Sequence, residues 1–283
     1  MTSPPSLMAE TRGLLERFNL SARKGLGQNF LIDRGILGKI VEAAGVDKSD
    51  TVVEVGPGLG VLTRALAEQA GKVIAVELDR NMTALLRETL AGLTNVEIVE
   101  RDILDTPVES LIGDSSYYKV VANLPYYITS PALRHFLEAV RQPRTLTVMV
   151  QREVARQITA KPPEMSLLSL GIQVFGRPKI IGYVPAGAFH PPPKVTSAIL
   201  HIDVLPERRL SGADEQQFFR LARAGFGTRR KQLANALASG LDLDKAATIE
   251  TLRRAGIDPA RRAETLSIED WIKLLDAWKA AHV

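Results

Sequence analysis

The chain has 283 residues, 45% hydrophobic and 24% charged, a soluble globular composition with apolar material for one large core or two domains. It lacks cysteine, which excludes disulfides, thiolate metal sites and a thiol nucleophile; His135, His190, His201 and His282 are scattered, so no metal centre is expected. No apolar run approaches the ~20 residues that span a bilayer, and the opening MTSPPSLMAETRGLLERF lacks the pattern of a secretory signal, so the expected location is the cytoplasm. With 36 Lys and Arg against 32 Asp and Glu, bulk charge attracts a polyanion only weakly, and any such attraction must come from local clusters.

In chain order, residues 1–20 are expected to include a partly loose tail, opening on Ser3, Pro4, Pro5 and Ser6. From about residue 50, short β-branched runs alternate with longer helical patterns. The strands are expected at TVVEVG (51–56), KVIAVE (72–77), NVEIVE (95–100), YKVVAN (118–123) and TLTVMV (145–150). That rhythm predicts βαβ units and a parallel sheet covered by helices on both faces, an α/β Rossmann-like domain. Strand-like segments at Leu170–Phe175, Lys179–Tyr183 and Ser197–Val204 are expected to complete the sheet. Beyond Leu205 only helical spacing remains, in QQFFRLARAGF, RRKQLANALAS, KAATIETLRRAG and IEDWIKLLDAWKAA. A catalytic domain over 1–204 and a smaller all-helical C-terminal domain over 205–283 are therefore expected.

EVGPGLG (Glu54–Gly60) closes the first of these strands and opens a helix. Its glycines allow a sharp turn and let a ligand approach without Cβ interference. They fall at Gly56, Gly58 and Gly60, whereas a dinucleotide fingerprint would need glycine at Val61. A pyrophosphate seat is thus not supported, and E-x-G-x-G-x-G suits S-adenosylmethionine, which has no phosphate. A tight turn in another α/β protein is the alternative. Glu77 ends the second strand, Asp102 follows the third and Asn123 follows the fourth, at the carboxyl edge where open α/β sheets bind ligands. Glu77 suits the ribose hydroxyls of such a cofactor and Asp102 its adenine amine, the alternative being solvated strand ends.

Asn123-Leu124-Pro125-Tyr126 follows a strand and offers a carboxamide, a backbone carbonyl and an aromatic ring at the same edge. These are the groups that N-methylation of a nucleobase requires. The adenine N6 lone pair is delocalised and attacks a methyl sulfonium well only when the amine is held in line. Asn123 Oδ1 and the Leu124 carbonyl can each accept an N6 hydrogen, Pro125 biases Leu124 towards an extended conformation, and Tyr126 can stack on an extruded base. Read as structure only, the segment would be a turn with a buried tyrosine.

Together the segments resemble the KsgA/RsmA family of small-subunit ribosomal RNA adenine N6,N6-dimethyltransferases over nearly the whole chain. The resemblance lies in KGLGQNFL (24–31), EVGPGLGVLTRAL, VIAVELD, ANLPYYITSPAL and PAGAFHPPPKVTSAIL. It implies that the segment around Asn29 and Leu31 folds over S-adenosylmethionine, with Gly56, Gly58, Glu77, Asp102 and Asn123 as further contacts. It also implies that the Phe189 ring faces the target adenine opposite Tyr126. The residues alone read Phe189 as a core aromatic before a proline loop. The implied reaction places two methyl groups on each of two adjacent adenines in a hairpin loop near the 3′ end of 16S ribosomal RNA, with a role in small-subunit biogenesis. MSLLSL (165–170) departs from the usual family pattern without evident catalytic consequence.

Arg220, Arg223, Arg229, Arg230 and Lys231 lie in a stretch from Gln216 to Leu241 without an acid, flanking Phe226. They are the candidate phosphate-binding residues, a solvated helix face being the alternative. Other functional classes are an assembly factor that binds the immature subunit, a resistance methyltransferase acting on large-subunit RNA, and a DNA adenine methyltransferase. The last is disfavoured because Leu124 stands where its tetrapeptide has proline. A monomer is expected.

Overall fold

The computed structural model describes residues 6–115, 117–228 and 230–281. Within them the chain forms two compact units, one comprising the residues up to Ala155 with Arg177–Val204, the other Arg156–Gly176 with the residues from Leu205 onward. The second unit therefore recruits a segment that lies ahead of the boundary expected near residue 205.

In the first unit the elements are α1 (Leu7–Arg17), β1 (Phe30–Leu31), α2 (Arg34–Ala44), β2 (Thr51–Val55), α3 (Val61–Gln69), β3 (Lys72–Glu77), α4 (Arg80–Thr89) and β4 (Val96–Glu100). They continue with α5 (Val108–Ile112), β5 (Tyr118–Asn123), α6 (Thr129–Glu138) and β6 (Thr145–Gln151). After α7 (Arg152–Ile158), which contains the boundary, and α8 (Leu167–Gln173) come β7 (Gly176–Val184), β8 (Phe189–His190) and β9 (Ser197–Val204).

The five β-branched runs become strands close to their expected limits because Val and Ile suit a pleated sheet buried on both faces. Val52, Val53, Val73, Ile74 and Val121 have no measurable exposure. The seven-stranded sheet runs β4-β3-β2-β5-β6-β9-β7. Its first five strands are parallel, and β9 pairs antiparallel with β6, so the sheet is mixed rather than wholly parallel. From β2 the chain builds outward through β3 and β4, then returns to place β5 on the other side of β2. The strand order thus reverses between β2 and β5, which opens a crevice beyond their carboxyl ends.

Two expectations are corrected. The N-terminal segment is not loose from residue 6: the Ser6 hydroxyl accepts from Ala9 N at 3.2 Å and starts α1. Leu15 then packs in one cluster with Phe30, Leu59, Met82 and Leu85. Residues 1–5 lie outside the described residues. Leu170–Phe175 is also not a strand, since most of it lies in α8, which begins with a reciprocal capping box between Ser166 and Ser169. The box satisfies the Ser169 and Ser166 N–H groups, and a helix won over strand propensity.

The second unit also contains α9 (Gly212–Phe226), α10 (Leu233–Leu241), α11 (Lys245–Arg254) and α12 (Ile268–Ala281). Trp271 is fully buried and Phe226 stacks on it, with ring centroids 5.5 Å apart. A Cβ on Gly225 would come within 2.5 Å of the Trp271 ring, so glycine in the interior of α9 is explained by close approach.

Candidate active site

β2 ends in a turn whose glycines Gly56, Gly58 and Gly60 all have positive φ, 65°, 55° and 78°. A side chain at Gly58 would be strained by that φ and would meet the Phe30 ring at 3.2 Å. The turn is held to the neighbouring strand through Glu77 at the end of β3. Gly58 N donates to Glu77 Oε2 at 3.1 Å, and Asp79 N donates to Glu77 Oε1 at 2.9 Å. Glu77 is 7% exposed, and burial raises its pKa against the lowering effect of those backbone bonds. Each of its oxygens keeps a lone pair for a ligand.

Asp79, which sequence reading passed over, is the next knot. Its carboxylate accepts from Arg23 Nη1 at 3.3 Å, Gln28 Nε2 at 3.2 Å and Asn81 N at 3.0 Å. It is 3% exposed. The segment KGLGQNFL (24–31) is thereby clamped beside the end of β3. The only sequence sign of this was the acid two residues beyond Glu77.

A second link joins that segment to the end of β5. Asn123 Nδ2 donates to the Asn29 carbonyl at 2.9 Å, and Asn29 Nδ2 donates to the Gly27 carbonyl at 2.9 Å. Leu31 pairs with Phe189 in the two-stranded β1–β8 ladder, and both rest in one core cluster. One cleft is lined by Asn29, Leu31, the glycine turn, Glu77, Asp102 and the Asn123–Tyr126 segment. Asp102 is half-buried there, with Oδ1 capping the following 3-10 turn by accepting from Leu104 N at 2.9 Å.

Phe189 does not line this cleft. It is 2% exposed, packed in the core cluster with Leu31, Ile36 and Val184. Pairing of β8 with β1 turns its ring into the apolar layer. Tyr126 does line the cleft, half-buried, with its hydroxyl 2.6 Å from Ser197 Oγ. Burial raises the Tyr126 pKa and the Ser197 bond partly opposes this, so the phenol is neutral.

Glu54, the first residue of the glycine motif, also lines the cleft at 1% exposure, and its Oε2 makes no hydrogen bond within the described residues. Burial pushes its pKa up to about 8, offset in part by Thr63, while the charge of Glu77 adds to the rise. Glu54, Glu77 and Asp102 together face the cleft with Arg101 as the basic side chain. The Glu77 and Asp102 carboxylates, with Glu54 as a third acid that can ionise, repel a pyrophosphate and suit a cation bearing hydroxyls. S-adenosylmethionine is such a ligand, and the arrangement fits it.

In the second unit Arg220, Arg223, Arg230 and Lys231 are exposed, and none has an ion-pair partner among the described residues. Arg229 lies outside the described residues. Phe226 is held against Trp271 and is not free to stack on a base. Among the described residues no cluster of three or more His, Cys, Asp or Glu side chains could hold a metal, and no helix is long and apolar enough to cross a membrane.

The reversed strand order, the glycine turn hydrogen-bonded to a strand-end acid and the acidic cleft define a Rossmann-like S-adenosylmethionine-dependent methyltransferase. The model of the family "Ribosomal RNA adenine dimethylase" matches residues 19–279, and the chain belongs to that family. It is an S-adenosylmethionine-dependent enzyme that dimethylates adenine in ribosomal RNA. A relative from Dehalococcoides mccartyi strain BAV1, named ribosomal RNA small subunit methyltransferase A, is 53% identical over 97% of this chain and 94% of its own. One of the same name from Pelotomaculum thermopropionicum is 44% identical over 95% and 96%. Among solved structures, a dimethyladenosine transferase from Plasmodium falciparum aligns with TM-score 0.78 at 25% identity, covering 90% of this chain and 98% of that one. The 23S rRNA methyltransferase ErmE aligns with TM-score 0.72 at 29% identity, covering 89% and 100%.

Proposed function

We propose that the RNA is that of the small subunit, and that the enzyme converts two adjacent adenines in a hairpin loop near the 3′ end of 16S ribosomal RNA to N6,N6-dimethyladenosine. The observation that carries this is the near full-length 53% identity to a small-subunit methyltransferase, against 29% to an enzyme of 23S RNA. The protein acts as a cytoplasmic monomer during small-subunit biogenesis.

Bound S-adenosylmethionine supplies a methyl group on a sulfonium, which leaves as a neutral thioether. Glu77 accepts the ribose hydroxyls and Asp102 the adenine amine, while Asn29, Leu31, Gly56 and Gly58 form the surrounding wall. With its amino group committed to Asn29, Asn123 presents Oδ1 to the target amine, and the Leu124 carbonyl accepts the second N6 hydrogen. Pro125, at φ −55° and ψ 131°, sets the turn that brings Tyr126 under the base. The N6 proton departs to solvent after C–N bond formation, so no strong base is required.

Nucleoside mass spectrometry tests the target: small subunits, large subunits and duplex DNA from a strain lacking this modification are each incubated with protein and S-adenosylmethionine. Dimethyladenosine from small subunits alone is expected. Signal from large subunits would reassign the enzyme to the resistance type.

Glu54 makes cofactor binding pH-dependent. With its pKa raised to about 8 it is protonated in the free enzyme at neutral pH, and the cofactor's positive charge favours the carboxylate. Binding therefore releases a proton, and affinity rises with pH until about 8. Calorimetry in buffers of different ionisation enthalpy should show the release, and a Glu54→Gln enzyme should lose it. The same shift makes the free protein less stable as pH climbs from the unfolded carboxyl's range to about 8, because unfolding then sheds the proton.

The exposed cations of the second unit form the phosphate-binding face. Replacing Arg230 and Lys231 by Ala should weaken binding of any ribosomal RNA fragment and reduce the salt slope by about one unit per charge removed. An unchanged slope would make them a solvated face only.

A further inference from the structure

We propose that Ser197 is a positioning residue for the target base, its hydroxyl holding the Tyr126 ring at the angle at which that ring stacks on the adenine. This rests on the reading of Tyr126 as the stacking platform. Tyr126 sits in a 3-10 turn of three residues, Tyr126–Ile128, whose backbone alone does not fix the direction of a long aromatic side chain. Its ring is half-buried against the cleft, and its one polar atom meets Ser197 Oγ at 2.6 Å.

Ser197, by contrast, has no measurable exposure and is fixed on both sides. It opens β9 in register with Gln151 of β6, and the preceding Thr196 carbonyl accepts from Arg152 N at 3.0 Å. The three prolines at 191–193 stiffen the approach to that strand. The bond therefore transfers the rigidity of the central sheet to a ring that stands on a short turn, across 71 residues of chain. The Tyr126 hydroxyl is an anchor and plays no part as a base.

The test is a double-mutant cycle on methyl transfer to small-subunit RNA at saturating cofactor, with Ser197→Ala, Tyr126→Phe and the double variant. Each single change should lower kcat about tenfold, the effect of one lost buried hydrogen bond, with cofactor affinity unchanged. The double variant should be no slower than the slower single one. Ser197→Thr, which keeps the hydroxyl, should restore most of the rate. Melting temperatures separate a folding defect: Tyr126→Phe strands the Ser197 hydroxyl and should melt below the double variant, in which both polar partners are gone.

A double variant about a hundredfold slower, as independent effects would give, would overturn the proposal. So would a Ser197→Ala enzyme of normal kcat beside an inactive Tyr126→Ala enzyme. Full activity in Tyr126→Ala would instead remove the platform reading itself.

Discussion

An Asn123→Ala enzyme should transfer methyl groups about 10²–10³-fold more slowly than the parent, the range seen when one preorganised hydrogen-bonding group is removed from a reacting centre. Two losses combine. The target amine loses the acceptor that holds its lone pair in line with the methyl group, and the Asn29 carbonyl loses its 2.9 Å donor. Because Asn29 belongs to the 24–31 segment that lines the cleft, cofactor affinity should fall as well, by a smaller factor set by one neutral hydrogen bond. RNA affinity should hold, since the exposed cations of the second unit are untouched. Single-turnover rates at saturating cofactor, with binding isotherms for cofactor and RNA, separate these effects. Asn123→Asp sharpens the result: it keeps an acceptor for the substrate amine but sets a carboxylate against the Asn29 carbonyl, so it should damage cofactor binding more than Ala does. Near-normal rates in both variants would take the chemistry away from this residue.

Glu77→Gln should cost about 10²-fold or more in S-adenosylmethionine affinity, because hydrogen bonds to a charged acceptor contribute about 1.5–3 kcal/mol each and two ribose hydroxyls are involved. The substitution is nearly isosteric, yet it points an amide NH₂ at one of two backbone donors, Gly58 N or Asp79 N, that now both face carboxylate oxygens. The glycine turn itself should then shift. Calorimetry with the cofactor measures the loss, and the product S-adenosylhomocysteine provides a useful control: it shares the ribose and lacks the sulfonium, so its affinity should fall by a similar factor. If the product lost little while the cofactor lost much, Glu77 would be answering the positive charge instead of the hydroxyls.

Much of the cleft lining was legible in one dimension because it sits where chain punctuation and strand ends coincide. Gly56, Gly58, Glu77, Asp102 and Asn123 each lie at or just beyond the end of a strand that β-branched residues announce, and a parallel sheet brings such strand ends to one edge. Asp79, Gln28 and Ser197 were not legible, since their partners lie 51, 56 or 71 residues away and polar residues of these types have no periodicity to betray them. Phe189 was read from its residues as a core aromatic, with a place facing the base implied by the family resemblance alone, and the ladder between β8 and β1 sets its side chain in the core. Alternation along a strand decides that, and a two-residue strand shows no alternation in sequence.

The boundary near residue 205 marked where strand propensity stops, and sequence by itself could determine that, along with the α/β class, the cofactor type and most of the residues that line the cleft. Only the tertiary structure decided that Arg156–Gly176 joins the helical unit, that the Ser166 capping box turns a strand-like run into α8, and that Leu15 docks α1 beside Phe30. The physical reason is one of range. Propensity, glycine freedom and hydrophobic period act within a few residues and are written locally, whereas the choice among buried partners is settled by packing and by satisfying polar groups across the fold.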